Sequence, residues 1–321
     1  MVNCLQLDKF NYMAKKAKNL AIAVDIGGTN IRTAIIDQDG KIIAKNVTKT
    51  IQTGKSGNII VAQVIGDIKK LIVKNSPRKF KGIGVSAVGP IDMKKGAIVN
   101  TPNIKYKFIP IVEPLRKTFG LPVFFLNDCN AGALGEKYFG EGKKFSNLVY
   151  ITISSGIGGG AIVNGNLLLG KDGNAAEIGH MIVDTEYNLP CTCGKGRGHW
   201  EAYASGNNIA KFFRAWNKNK HSISTAADIF DLARKKDKTA LMFMEKLGKI
   251  NGRGISNVIA AYDPEVVILG GAVALNNSEI FLKYGEKYID KFLRWPKIEI
   301  TALGESSPLL GAAASVFHNR P

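Results

Sequence analysis

The chain has 321 residues, enough for two domains, and at 45% hydrophobic and 22% charged it has the composition of an ordinary soluble globular protein. A net charge of +18 (44 Lys and Arg against 26 Asp and Glu) raises a nucleic-acid partner, but the basic residues are dispersed in pairs such as Lys69–Lys70, Lys94–Lys95 and Lys143–Lys144. With no basic helix carrying interleaved aromatics, no run of the ~18 apolar residues of a membrane helix and too few cysteines for a disulfide framework, these numbers disfavour a nucleic-acid binder and a membrane protein. They point to a reducing, cytoplasmic compartment and a basic surface that favours anionic small molecules.

Residues 1–19 stand apart from the rest. They are basic, carry Asp8 and an internal Met13, and lack an apolar signal-peptide core, so they read as an N-terminal extension or a start placed too early. From Leu20 a strand runs to Val24 and ends in Asp25-Ile26-Gly27-Gly28-Thr29-Asn30. A second strand, Ile31 to Ile36, follows, then a hairpin turn at Asp37-Gln38-Asp39-Gly40 and a third strand from Lys41 to Ala44. Val61, Val64, Ile65, Ile68 and Ile72 fall at helical spacing and predict an amphipathic helix over 57–75. Lys81 to Val88 reads as a strand. Val123 to Leu126 reads as a buried strand ending at Asn127-Asp128, where a helix of small residues begins.

The opening pattern then returns. Leu148 to Ile153 is a strand, Ser154-Ser155-Gly156-Ile157-Gly158-Gly159-Gly160 a Gly-rich turn, Ala161 to Val163 a second strand, Asn164-Gly165 a turn and Asn166 to Leu169 a third strand. Such duplication implies two halves built alike. Two Gly-rich hairpins facing one another make a phosphate clamp, because Gly lets the backbone approach and the N–H groups, with Thr or Ser hydroxyls, donate to phosphate oxygens. Neither turn is a Walker A, since no Gly-Lys-Ser/Thr follows. Gly156-x-Gly158-x-Gly160 leads into a strand, unlike a Rossmann turn. Further helices are read over 208–217, 225–235 and 239–262. A buried strand, Val266 to Leu269, ends in Gly270-Gly271, and Pro308 to Phe317 closes the chain as a small-residue helix. Strands alternate with helices, and polar residues sit at the carboxyl ends of buried strands, where α/β sheets bind ligands.

Two features carry chemistry. Asp128, at a strand end beside Asn127, is placed either to take a proton from an alcohol or to cap the helix that follows. The window Glu177–Glu201 holds two of the four Cys and two of the four His, as Glu177-Ile178-Gly179-His180 and Cys191-Thr192-Cys193-Gly194-Lys195-Gly196-Arg197-Gly198-His199-Trp200-Glu201. Thiolate and imidazole are the ligands zinc prefers; the competing reading is a Gly-rich surface turn with incidental thiols.

Glu-x-Gly-His, then Cys-x-Cys-Gly and Gly-x-x-Glu, with the other motifs between about residue 20 and residue 315, resembles the signature of the ROK family of sugar kinases and repressors. The resemblance implies an α/β, two-domain actin-like ATPase (ribonuclease H-like) fold with an interdomain cleft. Its parts would be a 1–19 extension, an N-terminal α/β domain over 20–128 onto which the C-terminal helix 308–321 packs back, and a larger α/β domain over 129–307. It implies an enzyme that moves phosphate from ATP, with Mg²⁺, to a sugar hydroxyl, with Asp128 as base. Asn103, Asn127 and the backbone of Gly89 would meet the sugar from one side, and Glu177, His180 and Glu201 would hold its far side. Gly27, Gly28, Thr29 and Asn30 would meet phosphates, with Asp25 near Mg²⁺. Ser155 and Gly156 would form the second phosphate turn, although Ser154-Ser155 stands where Gly-Thr is usual, and Gly270 and Gly271 would leave room for adenosine. In the zinc motif His199 replaces the usual third Cys after a one-residue insertion, which leaves His180, Cys191, Cys193 and His199 as a Cys₂His₂ set. Bound to zinc through one nitrogen, His180 would keep the other for the sugar. Glucose, N-acetylglucosamine, N-acetylmannosamine and fructose kinases share these motifs, and members often form homodimers. Repressors of the family carry an N-terminal winged helix, for which a first strand near residue 20 leaves no room; no DNA or membrane partner is expected.

Overall fold

A computed structural model describes residues 18–74, 79–218 and 223–319. Of the expected 1–19 extension only Lys18 and Asn19 fall among them, and residues 320–321 also lie outside. The first half runs β1 (Leu20–Ile26), β2 (Asn30–Asp37), β3 (Ile42–Lys49), α1 (Asn58–Lys74), β4 (Phe80–Ala87), β5 (Ile91–Asp92), β6 (Ala97–Val99), β7 (Phe108–Pro110), α2 (Val112–Phe119) and β8 (Val123–Asn127). The second half runs α3 (Asp128–Phe139), β9 (Leu148–Ile153), β10 (Ile157–Val163), β11 (Asn166–Leu167), α4 (Glu201–Ala204), α5 (Ile209–Trp216), α6 (Ala226–Arg234), α7 (Lys238–Tyr262), β12 (Val266–Gly270), α8 (Ala272–Asn276), α9 (Ser278–Gly285), β13 (Lys297–Ile300) and α10 (Ser307–Phe317).

Two five-stranded sheets result, ordered β3-β2-β1-β4-β8 and β11-β10-β9-β12-β13. In each, three strands pair antiparallel and two more add in parallel beside the first. One plan is therefore used twice, as the repeated pattern predicts, and the architecture is the two-domain actin-like fold. The small sheet β5-β6-β7 escapes periodicity because its strands are two or three residues long. The second Gly-rich segment also differs from expectation. The turn is only Ser154–Gly156, and Gly158, Gly159 and Gly160 already belong to β10. Their role there is steric: a Cβ would lie 2.5 Å from Cys129 Sγ at Gly158, 2.7 Å from Ile178 Cδ1 at Gly159 and 2.2 Å from Cys129 O at Gly160.

Side-chain size decides how the layers stack. Along β1, Ile22, Val24 and Ile26 join the core beneath α1, while the alternate Ala21 and Ala23 meet Leu309, Ala312 and Val316 of α10. On β4, Gly84 extends this small-residue floor, since a Cβ there would lie 1.7 Å from Ala312 O. Helix α10 lies along α3 by the same device. A Cβ at Gly311 would sit 1.6 Å from Ala131 O, and one at Gly135 2.3 Å from Ser307 O. Leu134 and Ala314 carry the pair onto Tyr150 and Ile268 of the second sheet. The buried Glu136 ties α3 to α10 by accepting from the hydroxyls of Ser307 (2.8 Å) and Thr301. Among the described residues no helix is long and apolar enough to cross a membrane.

Gly311→Ala should therefore lower stability by at least ~2 kcal/mol, the cost of overpacking a filled contact. Gly66→Ala on α1, where a Cβ meets nothing within 4 Å, should be neutral or stabilise by up to ~1 kcal/mol through helix propensity. Paired denaturant melts check both; equal effects would discount the close helix contact.

Candidate active site

Strands β1, β4 and β8 run parallel and in register, Asp25 beside Ser86 and Ala87 beside Asn127, so their carboxyl ends open at one edge of the sheet. The turn after β1 is tight: Gly27 N–H donates to Asn30 O at 2.9 Å. It is held from β3's far end, where Thr50 Oγ1 donates to Gly27 O (2.7 Å), Thr50 N–H to Thr29 O (2.9 Å) and Gln52 Nε2 to Gly28 O (2.8 Å). Gly28 abuts the Asn103 loop, since a Cβ would lie 2.7 Å from Asn103 O. Gly89 faces Asn127, with 4.0 Å between a built Cβ and Asn127 Cβ. Thr50 and Gln52 were not foreseen, because polar residues after a strand form no motif.

Asp25 is buried, and burial pushes its carboxyl up. Arg32, its cross-strand neighbour, opposes this with Nη1 at 3.0 Å from Oδ2, while Ser86 Oγ donates to Oδ1 at 3.0 Å. Arg32 also reaches Glu305 at 2.9 Å. The cross-strand position of Arg32 is the only sequence signal for this partner, and it becomes informative once the hairpin register is known.

Helix α3 begins at Asp128, but its cap is Asn127, whose Oδ1 accepts from Asn130 N–H at 2.7 Å. The cap and the candidate base are thus separate residues. Asp128 Oδ1 accepts from Cys129 N–H (2.9 Å) and from the Cys129 thiol (3.4 Å), which burial keeps protonated. Burial and the nearby Asp25 push the Asp128 carboxyl up to about 7; the Cys129 hydrogen bonds oppose them and Glu177 adds to the rise.

In the second half, the Ser154–Gly156 turn is gripped by the segment around α4. Gly206 N–H donates to Ser154 O (2.7 Å), Asn207 N–H to Ser155 O (3.4 Å), and Glu201 Oε2 accepts from Ile157 N–H (3.0 Å). A side chain at position 156 would push against Glu201, since a Cβ would lie 2.6 Å from Glu201 Oε2. Glu201 Oε1 accepts from the Thr192 hydroxyl. Both oxygens of Glu201 are therefore already bonded to protein, a placement different from a carboxylate aimed only at a sugar. Gly271, at φ +84°, lets β12 end against β9, with a Cβ 2.5 Å from Ile153 O.

His180, Cys191, Cys193 and His199 converge, with one ligand atom from each lying within 4.8 Å of the others. The Nδ1 atoms are 3.3 Å apart, Cys191 Sγ is 3.7 Å from His180 Nδ1, and Cys193 Sγ is 3.8 Å from His199 Nδ1. A tetrahedron with bonds of about 2.05 Å to nitrogen and about 2.3 Å to sulfur has N–N edges of about 3.3 Å and N–S edges of about 3.6 Å, so the donor set fits zinc. The insertion is absorbed by a small hairpin, in which Cys191 N–H donates to Gly196 O (2.9 Å) and Gly194 N–H to Cys191 O (3.0 Å). Gly196 leaves space for the imidazole, since a Cβ would lie 2.1 Å from His199 Cε1. His180 Nε2 turns away from the cluster to 3.8 Å from Glu177 Oε2.

Comparison with known proteins adds an independent line. The ROK family model matches residues 21–319. The glucokinase of Pyrobaculum calidifontis is 36% identical over 298 residues, covering 92% of this chain and 94% of the relative. The xylose repressor of Bacillus spizizenii is 32% identical, covering 95% of this chain and 78% of the repressor. The crystal structure of a ROK hexokinase from Thermus thermophilus superposes with a TM-score of 0.80 at 29% identity, over 94% of this chain and 98% of that one. A ROK family glucokinase from Streptomyces griseus, solved with glucose and AMPPNP, superposes with 0.76 at 28%, over 92% and 98%. The duplicated sheets, the two Gly-rich turns and a match over nearly the whole sequence agree: this chain belongs to the ROK family.

Proposed function

We propose that the protein is an ATP-dependent sugar kinase. It phosphorylates the 6-hydroxyl of a hexose, glucose first, with N-acetylmannosamine, N-acetylglucosamine and fructose as the alternatives. The observation that carries this reading is Asp128: a half-buried carboxylate at a strand end, relieved of capping by Asn127 and raised to about 7, where a base works best at neutral pH. The glucokinase names of the relatives and the glucose and AMPPNP of the Streptomyces griseus structure support the choice of substrates.

In this reading the sugar lies between Gly89, Asn103 and Asn127 on one side and Glu177, His180 and Glu201 on the other. Asp128 takes the proton of the 6-hydroxyl. That oxygen bonds to the γ-phosphorus as the bond to the β–γ bridging oxygen breaks, and ADP leaves. N–H groups of Gly27–Asn30 and of Ser155–Gly156 hold the phosphates, Arg32 and Ser86 orient Asp25 beside the Mg²⁺ site, and Gly270 and Gly271 flank the adenosine. Mg²⁺ supplies charge neutralisation at the phosphates. The repressor alternative draws on the xylose repressor likeness; a repressor has no need of a base beside two phosphate turns. A homodimer belongs to the same proposal, checked by light scattering.

An ADP-release assay across the four sugars should give turnover with at least one, and NMR should place the phosphate on carbon 6. Phosphate on carbon 1, or DNA retardation without ADP release, would overturn the reading.

Asp128→Asn should lower turnover by at least ~10²-fold while leaving ATP affinity near the parental value. Between about 3.9, where Asp ionises in the unfolded chain, and about 7, the ligand-free folded chain alone holds the Asp128 proton. Folding stability contributed by Asp128 therefore falls as pH rises through that window. The variant lacks this loss, so its melting temperature relative to the parent should be higher at about pH 8 than at about pH 5. Near-parental turnover in a folded variant would remove Asp128 from the mechanism.

His180, Cys191, Cys193 and His199 are proposed to bind one structural zinc that orients His180 toward the sugar. Elemental analysis should find about one zinc per chain, lost in Cys191→Ser. Well under one zinc, with no gain on zinc addition, would leave the cluster as a hairpin of free thiols.

A further inference from the structure

The loop 170–176 leaves β11 in the second half and comes to rest on β5 in the first. β5 is an edge strand, and Asn174 meets its outer side. Asn174 Oδ1 accepts from Ile91 N–H at 3.2 Å, and its Nδ2 donates to Ile91 O at 3.0 Å. The amide thus pairs with both backbone groups of one residue, as a neighbouring strand would. Two further contacts seat the loop. Gly173 lies against Met93, with a Cβ only 2.3 Å from Met93 Sδ, and the fully buried Asn130 donates from Nδ2 to Gly173 O at 3.1 Å. Past the clasp, Ala176 is held at φ +62°, a conformation that an L-residue adopts at a cost, and it leads directly into Glu177.

We infer that Asn174 is a positioning residue for sugar binding, clasping the segment that carries Gly89 to the segment that carries Glu177. Ile91 is two residues beyond Gly89, and Glu177 is three residues beyond Asn174. The inference rests on the sugar-site reading given above. Loss of the clasp frees the two walls to separate, and the sugar has to restore their spacing from its own binding energy. The nucleotide turns at Gly27–Asn30 and Ser154–Gly156 are held by Thr50, Gln52, Gly206 and Glu201, none of which bonds to Asn174.

The test is Asn174→Ala and Asn174→Asp, with KM for glucose, KM for ATP and a melting curve on each sample. Both hydrogen bonds to Ile91, and a third to Asp172 O within the loop, are lost in Asn174→Ala, so KM for glucose should rise by about fivefold or more while KM for ATP stays within about twofold. Asn174→Asp keeps the acceptor for Ile91 N–H but sets an anionic oxygen against Ile91 O. It should be at least as impaired, whereas a residue that merely fills space would tolerate it. Should either variant fail to fold, hydrogen exchange at the Ile91 amide of the parent decides the matter: glucose should slow it severalfold. A parental KM for glucose in a folded Asn174→Ala, or an Ile91 amide indifferent to glucose, would overturn the inference while leaving the kinase reading intact. A parent that neither binds nor phosphorylates any of the four sugars would remove the kinase reading, and this inference with it.

Discussion

Helix α10 touches the first sheet with backbone, and so does α3 with α10. Gly84, Gly135 and Gly311 are the positions at which a single methyl group would collide with a carbonyl or its neighbours. This close contact is the constraint on which the site depends. Because the pair α3–α10 is shared by both sheets, the carboxyl ends of β1, β4 and β8 and the hairpin of β9 and β10 have a common reference. Asp128 is the first residue of α3, so the position of the candidate base follows directly from that packing. Dispersion at such contacts is short-ranged, and a shift of less than an ångström forfeits much of it.

The same geometry gathers like charge. Asp25 comes from the first half, Glu177 from the second, and both raise the carboxyl of Asp128 between them. Asp25 has a close guanidinium, Arg32, whose other nitrogen is spent on Glu305 just before α10. Among the described residues, Asp128 is met by donors on one oxygen alone, both from Cys129. An arrangement that leaves a carboxylate desolvated and short of partners destabilises the folded chain, and sites that move protons are where such arrangements persist.

Glu201 gives the Cys- and His-rich loop a second connection. It accepts from Ile157 N–H beside the second Gly-rich turn and from Thr192 inside the loop, and it follows His199 by two residues. The Cys- and His-rich loop and the second Gly-rich turn are thus joined through a single carboxylate. The Cys191 thiol also donates to Oε1 at 3.9 Å; a carboxylate has about four acceptor directions, so these three bonds still leave capacity for a hydroxyl.

The duplicated hairpins and the helix periodicities were readable in the chain because each rests on local chemistry, strand alternation or turn residues, and Asp128 stood out as a carboxylate where a buried strand ends. The Cys and His spacing likewise marked four side chains that the fold gathers within 4.8 Å of one another. Partnerships across the chain were not readable. Arg32 with Asp25 needed the hairpin register, and Asn127 rather than Asp128 as the helix cap needed backbone angles. The glycines of β10 look like a cradle in sequence and are spacers in space, because only the fold reveals that Cys129 and Ile178 press against them. The clasp of Asn174 on Ile91 joins residues 83 positions apart. Sequence by itself determined the repeated pattern and the residue types available for chemistry, because these follow from local propensity and side-chain identity. Tertiary structure alone decided which donors meet which acceptors, because that depends on how closely two backbones can approach.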